Sequence, residues 1–219
     1  SSPFNVVQTT DAIALRFIST TVPTTSVAGG GLTGATGALA VEVINSTGAR
    51  VTTSSAPITL SVQGGRAAIA GTAIVTAVNG LATFSSATIQ RADTGYVLTA
   101  TSPTLNTAIA PSRLAVAPST AVGLRALDSL PTVVGGTAWP ALRVAVVDAF
   151  QNVVTTSAAT VTLRGPSGFP GDSSYVTWGG TSALAPTAPL AQPAVSGVAT
   201  FTGLRPRFAI SNTFNRLFF

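Results

Sequence analysis

The feature that most limits what this chain can fold into is a block it contains twice. Residues 39–60 read LAVEVINSTGARVTTSSAPITL, and residues 142–163 read LRVAVVDAFQNVVTTSAATVTL. Setting Leu39 on Leu142 aligns them at an offset of 103 without a gap, and Thr52-Thr53-Ser54 meets an identical Thr155-Thr156-Ser157. Each copy alternates apolar and polar residues, breaks at a polar turn and alternates again, which is the pattern of two half-buried strands. A second anchor recurs at a different spacing. Val78-Asn79-Gly80-Leu81-Ala82-Thr83-Phe84 matches Val195-Ser196-Gly197-Val198-Ala199-Thr200-Phe201 at an offset of 117. Copy two therefore carries fourteen more residues between the anchors, and the Pro-, Gly- and Ser-rich stretch 165–193 is where they are placed.

A repeat of this length in a chain of 219 residues predicts two β domains in series. The expected division is an N-terminal extension at 1–12, a first domain at 13–112 and a second at 113–219. Strands are expected at 13–18, 39–44, 58–62, 73–78, 81–84, 96–101 and 105–109, with Asn79-Gly80 as a hairpin turn. Residues 113–116 are read as the first strand of copy two, because Leu15-Arg16-Phe17 can be set on Leu114-Ala115-Val116 at an offset of 99. Strand signals at this spacing, without helical periodicity, give an all-β fold of two tandem sandwiches with negligible helix.

Composition narrows the chemistry. The chain has no Cys, His, Met or Lys, so disulfides, zinc sites, His-based nucleophile triads and Lys crosslinks are excluded. Its basic residues are eleven arginines, scattered singly, against five Asp and one Glu. The pI of 11.4 reflects the missing Lys and His rather than a basic face, and no nucleic-acid partner is expected. Charged residues make up 8% of the chain, against roughly 25% in ordinary soluble domains, as suits a surface covered by neighbours or by glycans. No apolar run is long enough to span a membrane. The sequence starts at Ser1 without a leader, which suits an extracellular or cell-surface chain after signal-peptide removal.

The order of motifs resembles a known family. A Leu-x-Phe strand, a Pro-then-Gly loop, VEVINSTGARVTTSSAPITL, AVNGLATF and ADTGYVLTAT follow one another as in the bacterial immunoglobulin-like repeats of invasin- and intimin-type adhesins. The resemblance covers 13–110 and again 114–219. It implies an immunoglobulin-like sandwich used as spacer or scaffold. It also implies a corner-packed tyrosine at Tyr96, which follows Asp93-Thr94-Gly95; copy two reads AISNTF at 209–214 and lacks that piece.

Few residues are candidates for a site. Asp148, in the turn that matches Asn45, is expected to cap that turn. Asn45-Ser46-Thr47 is a formal glycosylation sequon read as a structural turn. With six acids and no clustered pair, neither a metal site nor any cofactor is expected, and no enzyme activity. Trp139 is read as a buried strand-edge residue, whereas Tyr175 and Trp178 are candidate surface contacts for subunits or sugars.

The ends of the sequence suggest assembly. Copy one has two expected strands after its ATF anchor. Copy two has room for one, at 215–219, and so is read as lacking its last strand. Phe4–Thr10 in turn sits where 105–109 sits before copy two. The resulting expectation is a fibre or surface subunit that polymerises head to tail, with 1–12 donating a strand to the second domain of a neighbour. Phe4, Val6 and Val7 would meet a groove lined by Leu217 and Phe219. The alternatives are spacer domains of a longer adhesin and, third, a carbohydrate-binding module contacting surface glycans or host ligands.

Overall fold

The computed structural model describes residues 11–65, 67–129, 140–163 and 191–204, and their regular structure is almost entirely β. Two compact units divide after Pro118.

The first unit contains β1 (Ala14–Phe17), β2 (Thr25–Val27), β3 (Thr33–Gly34), β4 (Gly37–Ala38), β5 (Ala40–Ile44) and β6 (Pro57–Val62). It continues with β7 (Ile74–Thr76), β8 (Leu81–Thr83), β9 (Asp93–Tyr96), β10 (Leu98–Ser102), β11 (Leu105–Ile109) and β12 (Leu114–Ala117). Seven of them pair in the order β7-β6-β10-β11-β1-β5-β8, and a separate sheet runs β2-β12-β9. β1 joins the halves of the long sheet, antiparallel to β5 over four residues and parallel to β11 at Ala14 and Asn106 alone. The alternation seen in the sequence sets which faces turn inward. In β6, Ile58, Leu60 and Val62 are buried while Pro57, Thr59 and Ser61 are not. They meet Val41, Val43, Ala82, Phe84, Tyr96 and Leu98 in one apolar core. The result is an all-β sandwich.

The second unit contains β13 (Gly123–Ala126), β14 (Leu142–Val147), β15 (Thr160–Thr162), β16 (Ala191–Pro193) and β17 (Val198–Phe201) among the described residues. They pair as β13-β14-β17 and β15-β16 around Leu142, Val144, Val146, Val161, Leu163, Ala199 and Phe201. The two units share their hydrogen bonds, not just their letters. Val51 N donates to Val43 O at 2.9 Å, and Val154 N donates to Val146 O at 2.9 Å. Val43 N donates to Gly80 O, as Val146 N donates to Gly197 O.

Four sequence expectations are corrected. First, Asn79-Gly80 turns tightly, with φ of 52° and 72°, but the flanking strands do not form a hairpin. Only Val78 and Leu81 bridge; β7 leaves to pair with β6 and β8 with β5. Second, 96–101 is not one strand. Tyr96 lies opposite Leu114 and Leu98 opposite Val62, so the chain changes sheets at Val97. Third, 191–193 is not insertion, because Ala191–Pro193 pairs with β15 as β7 pairs with β6. Fourth, 114–117 does not open the second unit. It is β12, held between β2 and β9 of the first.

That fourth correction resets the alignment of the copies. Leu15 stands opposite Val43, and Leu124 stands opposite Val146, which is the position of Val43 in the repeat. The counterpart of Leu15-Arg16-Phe17 is therefore Leu124-Arg125-Ala126 at an offset of 109, not Leu114-Ala115-Val116.

Tyr96 is fully buried, and its hydroxyl donates to the carbonyl of Arg91, five residues upstream, at 3.1 Å. This is the corner implied by the resemblance. Tyr96→Phe keeps the ring and removes the bond. A loss of about 1 kcal/mol is expected in the denaturant stability of the first unit; no loss would show that the bond is idle.

Candidate functional site

β12 lies beyond the domain boundary expected from the sequence at 112, and it closes the first unit. Its sequence leads into the second unit, yet its hydrogen bonds belong to the first. Ala115, Val116 and Ala117 lie parallel to Thr25, Ser26 and Val27, and Leu114 and Val116 lie opposite Tyr96 and Asp93 on the other edge. Ala115 N donates to Thr24 O, and Ala28 N donates to Ala117 O. Leu114 and Val116 are 1% and 3% exposed and belong to the first core, while Ala117 faces solvent. A strand paired on both edges with two buried anchors is part of the fold, not a linker lying on it. Leu114→Ala should therefore cost the first unit roughly 2–4 kcal/mol. Hydrogen exchange resolved by segment checks this: faster exchange confined to 119–204 would contradict it.

The segment after β12 is tied down at once. Asp148 is fully buried. Its Oδ2 accepts from Ser119 N at 2.9 Å, and its Oδ1 from the backbone N–H groups of Phe150 and Asn152, both at 2.9 Å. The Asn152 side-chain amide reaches both oxygens. Burial pushes the Asp148 carboxyl up, but the bonds from Asn152, Ser119 and Phe150 outweigh it and hold the group below its usual value. Asn45 does the matching work in the first unit. Its Oδ1 accepts from Thr47 N, Thr47 Oγ1 and Ala49 N. Both turns need one left-handed residue, and Gly48 (φ 79°) and Gln151 (φ 66°) supply it. The sequon asparagine is thus itself buried and holds its turn.

Sequence reasoning missed the role of Glu42. It is the chain's single Glu, it sits in a strand buried on both faces, and it is 8% exposed. Arg16 approaches its Oε1 at 2.7 Å and Arg50 its Oε2 at 3.2 Å. A charge in so apolar a run was the available signal, since a carboxylate there has to be paired. The second unit has Ala145 in that register position. Beside this pair lies an open cleft of about 600 Å³ lined by Leu15, Phe17, Ser19, Ala108, Ile109 and Pro111 among others. A His-based triad at Ser19 is excluded, because the chain has no His. Among the described residues no group of three or more acids could hold a metal ion. No described helix is long and apolar enough to cross a membrane.

The interface residues expected from the sequence, Phe4, Val6, Val7, Leu217 and Phe219, lie outside the described residues, as do Tyr175, Trp178 and Trp139. So do the expected final strand of copy two and nearly all of 165–193. No protein-family model matches the chain, and no curated protein matches it.

Proposed function

We propose that this chain is a structural subunit of an extracellular bacterial fibre or surface assembly, joined head to tail by a strand passed between copies. On this reading the N-terminal segment adds a strand to the second unit of a neighbour, and the chain has no catalytic role. The observation that carries it is β12: this chain already builds one unit with a strand that runs on into the next. The first unit depends on that strand for two core side chains and both neighbours in its small sheet. A unit whose small sheet is completed by its last strand could take such a strand from another chain by the same kind of backbone hydrogen bonds. A contact of this kind is head-to-tail and need not close, so it propagates. The low charge of the chain fits a surface largely covered by neighbours.

A last strand that leads straight into the next unit equally favours a second reading, in which these are spacer units of a longer cell-surface adhesin. Electron microscopy separates the two. Purified chain that forms filaments, and stops doing so when residues 1–12 are deleted, supports the subunit. Filaments of normal length without those residues refute strand donation, and separate particles at every concentration favour the spacer.

A further inference from the structure

We propose that Asn79-Gly80 is a chemical modification site, a deamidating asparagine, which the folded corner of the first unit holds unreacted and which opening of that corner commits. The site lies wholly within the first unit and is independent of assembly.

The residues supply the chemistry. Asn79-Gly80 is the one Asn-Gly step in the sequence. A glycine has no Cβ to hinder its own nitrogen, so that nitrogen can approach the preceding side chain. The Gly80 nitrogen gives up its proton and bonds to Cγ of Asn79. The bond from Cγ to the side-chain nitrogen breaks, and ammonia leaves with that proton. A cyclic imide remains, and water opens it at either carbonyl. Breaking the new bond gives aspartate. Breaking the bond to the main-chain carbonyl gives isoaspartate, in which the chain runs through the side chain and is one carbon longer. One water enters and one ammonia leaves. Asn79 is exposed, so water reaches it. Asn45 is the contrast: it precedes a serine, is buried, and its Oδ1 accepts from Thr47 and Ala49.

The fold supplies the gate. Attack requires the peptide between Asn79 and Gly80 to turn its nitrogen onto the Asn79 side chain. In the folded corner that nitrogen donates to Ser54 O at 3.1 Å, and Gly80 O accepts from Val43 N at 2.9 Å. Gly80 is itself buried, and a Cβ there would stand 2.3 Å from Val51 O. The nitrogen is therefore held on another acceptor in a space that leaves the peptide no room to rotate. The reaction belongs to the opened state, and its rate follows how often the corner opens. Aspartate adds one exposed charge and leaves the backbone as it was. Isoaspartate moves Gly80 along the chain, so its two bonds and its seat against Val51 cannot all be remade. An opening that reacts this way is then permanent. The second unit has the same turn, with φ of 50° and 76° and the same approach to Val154 O, but Ser196 in place of the asparagine. It carries the gate without the reactive group.

Peptide mapping by mass spectrometry on the full-length chain tests this, in one mildly alkaline buffer with and without denaturant. Residue 79 should deamidate at least roughly tenfold more slowly in the folded chain. Equal rates overturn the gate, and no reaction even in denaturant overturns the site. Val51→Ala loosens the corner without touching the dipeptide. It should speed the folded reaction several-fold and leave the denatured rate alone; an unchanged folded rate overturns this corner as the gate. Ser196→Asn places the same dipeptide against Val154 and should be slow in the folded chain; reaction there as fast as in denaturant overturns the geometry as its cause. Finally, chain aged in denaturant is refolded and followed by hydrogen exchange. The isoaspartyl fraction should fail to recover protection of the Val43 amide, while Asn79→Ser treated alike recovers it. Full recovery by both overturns the permanence of the opening.

Discussion

Gly80→Ala is expected to destabilise the first unit by about 4 kcal/mol, with Gly197→Ala doing the same to the second. Both glycines are left-handed, at φ 72° and 76°, where an alanine costs about 1–2 kcal/mol before any contact is considered. Contact is the larger part. A Cβ on Gly80 would stand 2.3 Å from the carbonyl oxygen of Val51, and one on Gly197 would stand 2.4 Å from that of Val154. Those oxygens cannot step aside cheaply, since Val51 N and Val154 N are bonded to β5 and β14 respectively. Nor can the glycines, because Gly80 donates to Ser54 O and accepts from Val43 N. Gly48→Ala is the control. It is equally left-handed at φ 79°, but its Cβ would meet only the end of the Arg16 side chain, at 3.4 Å. Denaturant melts of the three variants separate conformation from collision. If Gly80→Ala loses no more than Gly48→Ala, the close approach of the two turns is not what holds this corner.

Those glycines show where the sequence was informative. Asn79-Gly80 and Ser196-Gly197 mark a tight turn by residue type, and a tight turn is there in both units. What turn chemistry does not encode is the partner of the strands that leave it. A two-residue turn suits a hairpin, yet here β7 and β8 go to different neighbours because Val75 and Ala82 lie against Ile58 and Val41. The pairing is decided by contacts distant in sequence, which periodicity does not report.

The same limit applies to β12. Leu114-Ala115-Val116 alternates, so its being a strand was legible, and so was the inward face. Its sheet was not. Its parallel partner, Thr25–Val27, is a three-residue strand with an exposed valine and no strong apolar signature. Likewise Tyr96-Val97-Leu98 reads as one continuous strand, and only Tyr96 opposite Leu114 and Leu98 opposite Val62 reveal two. Hence the repeat block, its offset and the turn role of Asp148 were all readable. The strand that joins one unit to the next, on which the assembly proposal rests, needed the register.

Asp148→Ala is expected to cost the second unit about 4 kcal/mol near neutral pH, since a hydrogen bond to a charged group contributes about 1.5–3 kcal/mol and several are lost together. The backbone N–H groups of Ser119, Phe150 and Asn152 would lose their acceptor, and so would the Asn152 amide. Asp148→Asn should fall between wild type and alanine. Its one oxygen can keep Phe150 and Asn152 as Asn45 keeps Thr47 and Ala49, but its NH₂ would then face the Ser119 N–H. The carboxylate also makes the unit sensitive to acid, with a definite sign. Its folded value lies below the usual 3.8, so the stabilisation is fully present above that value and is lost as pH falls through the folded one. Asp128, held low by the hydrogen bonds of Arg143, acts in the same direction from the surface. Denaturant midpoints of the second unit, taken from neutrality down to about pH 2, should therefore drop further for wild type than for Asp148→Asn. Parallel curves would mean that the charge is idle and that Asp148 works in this turn only as a hydrogen-bond acceptor.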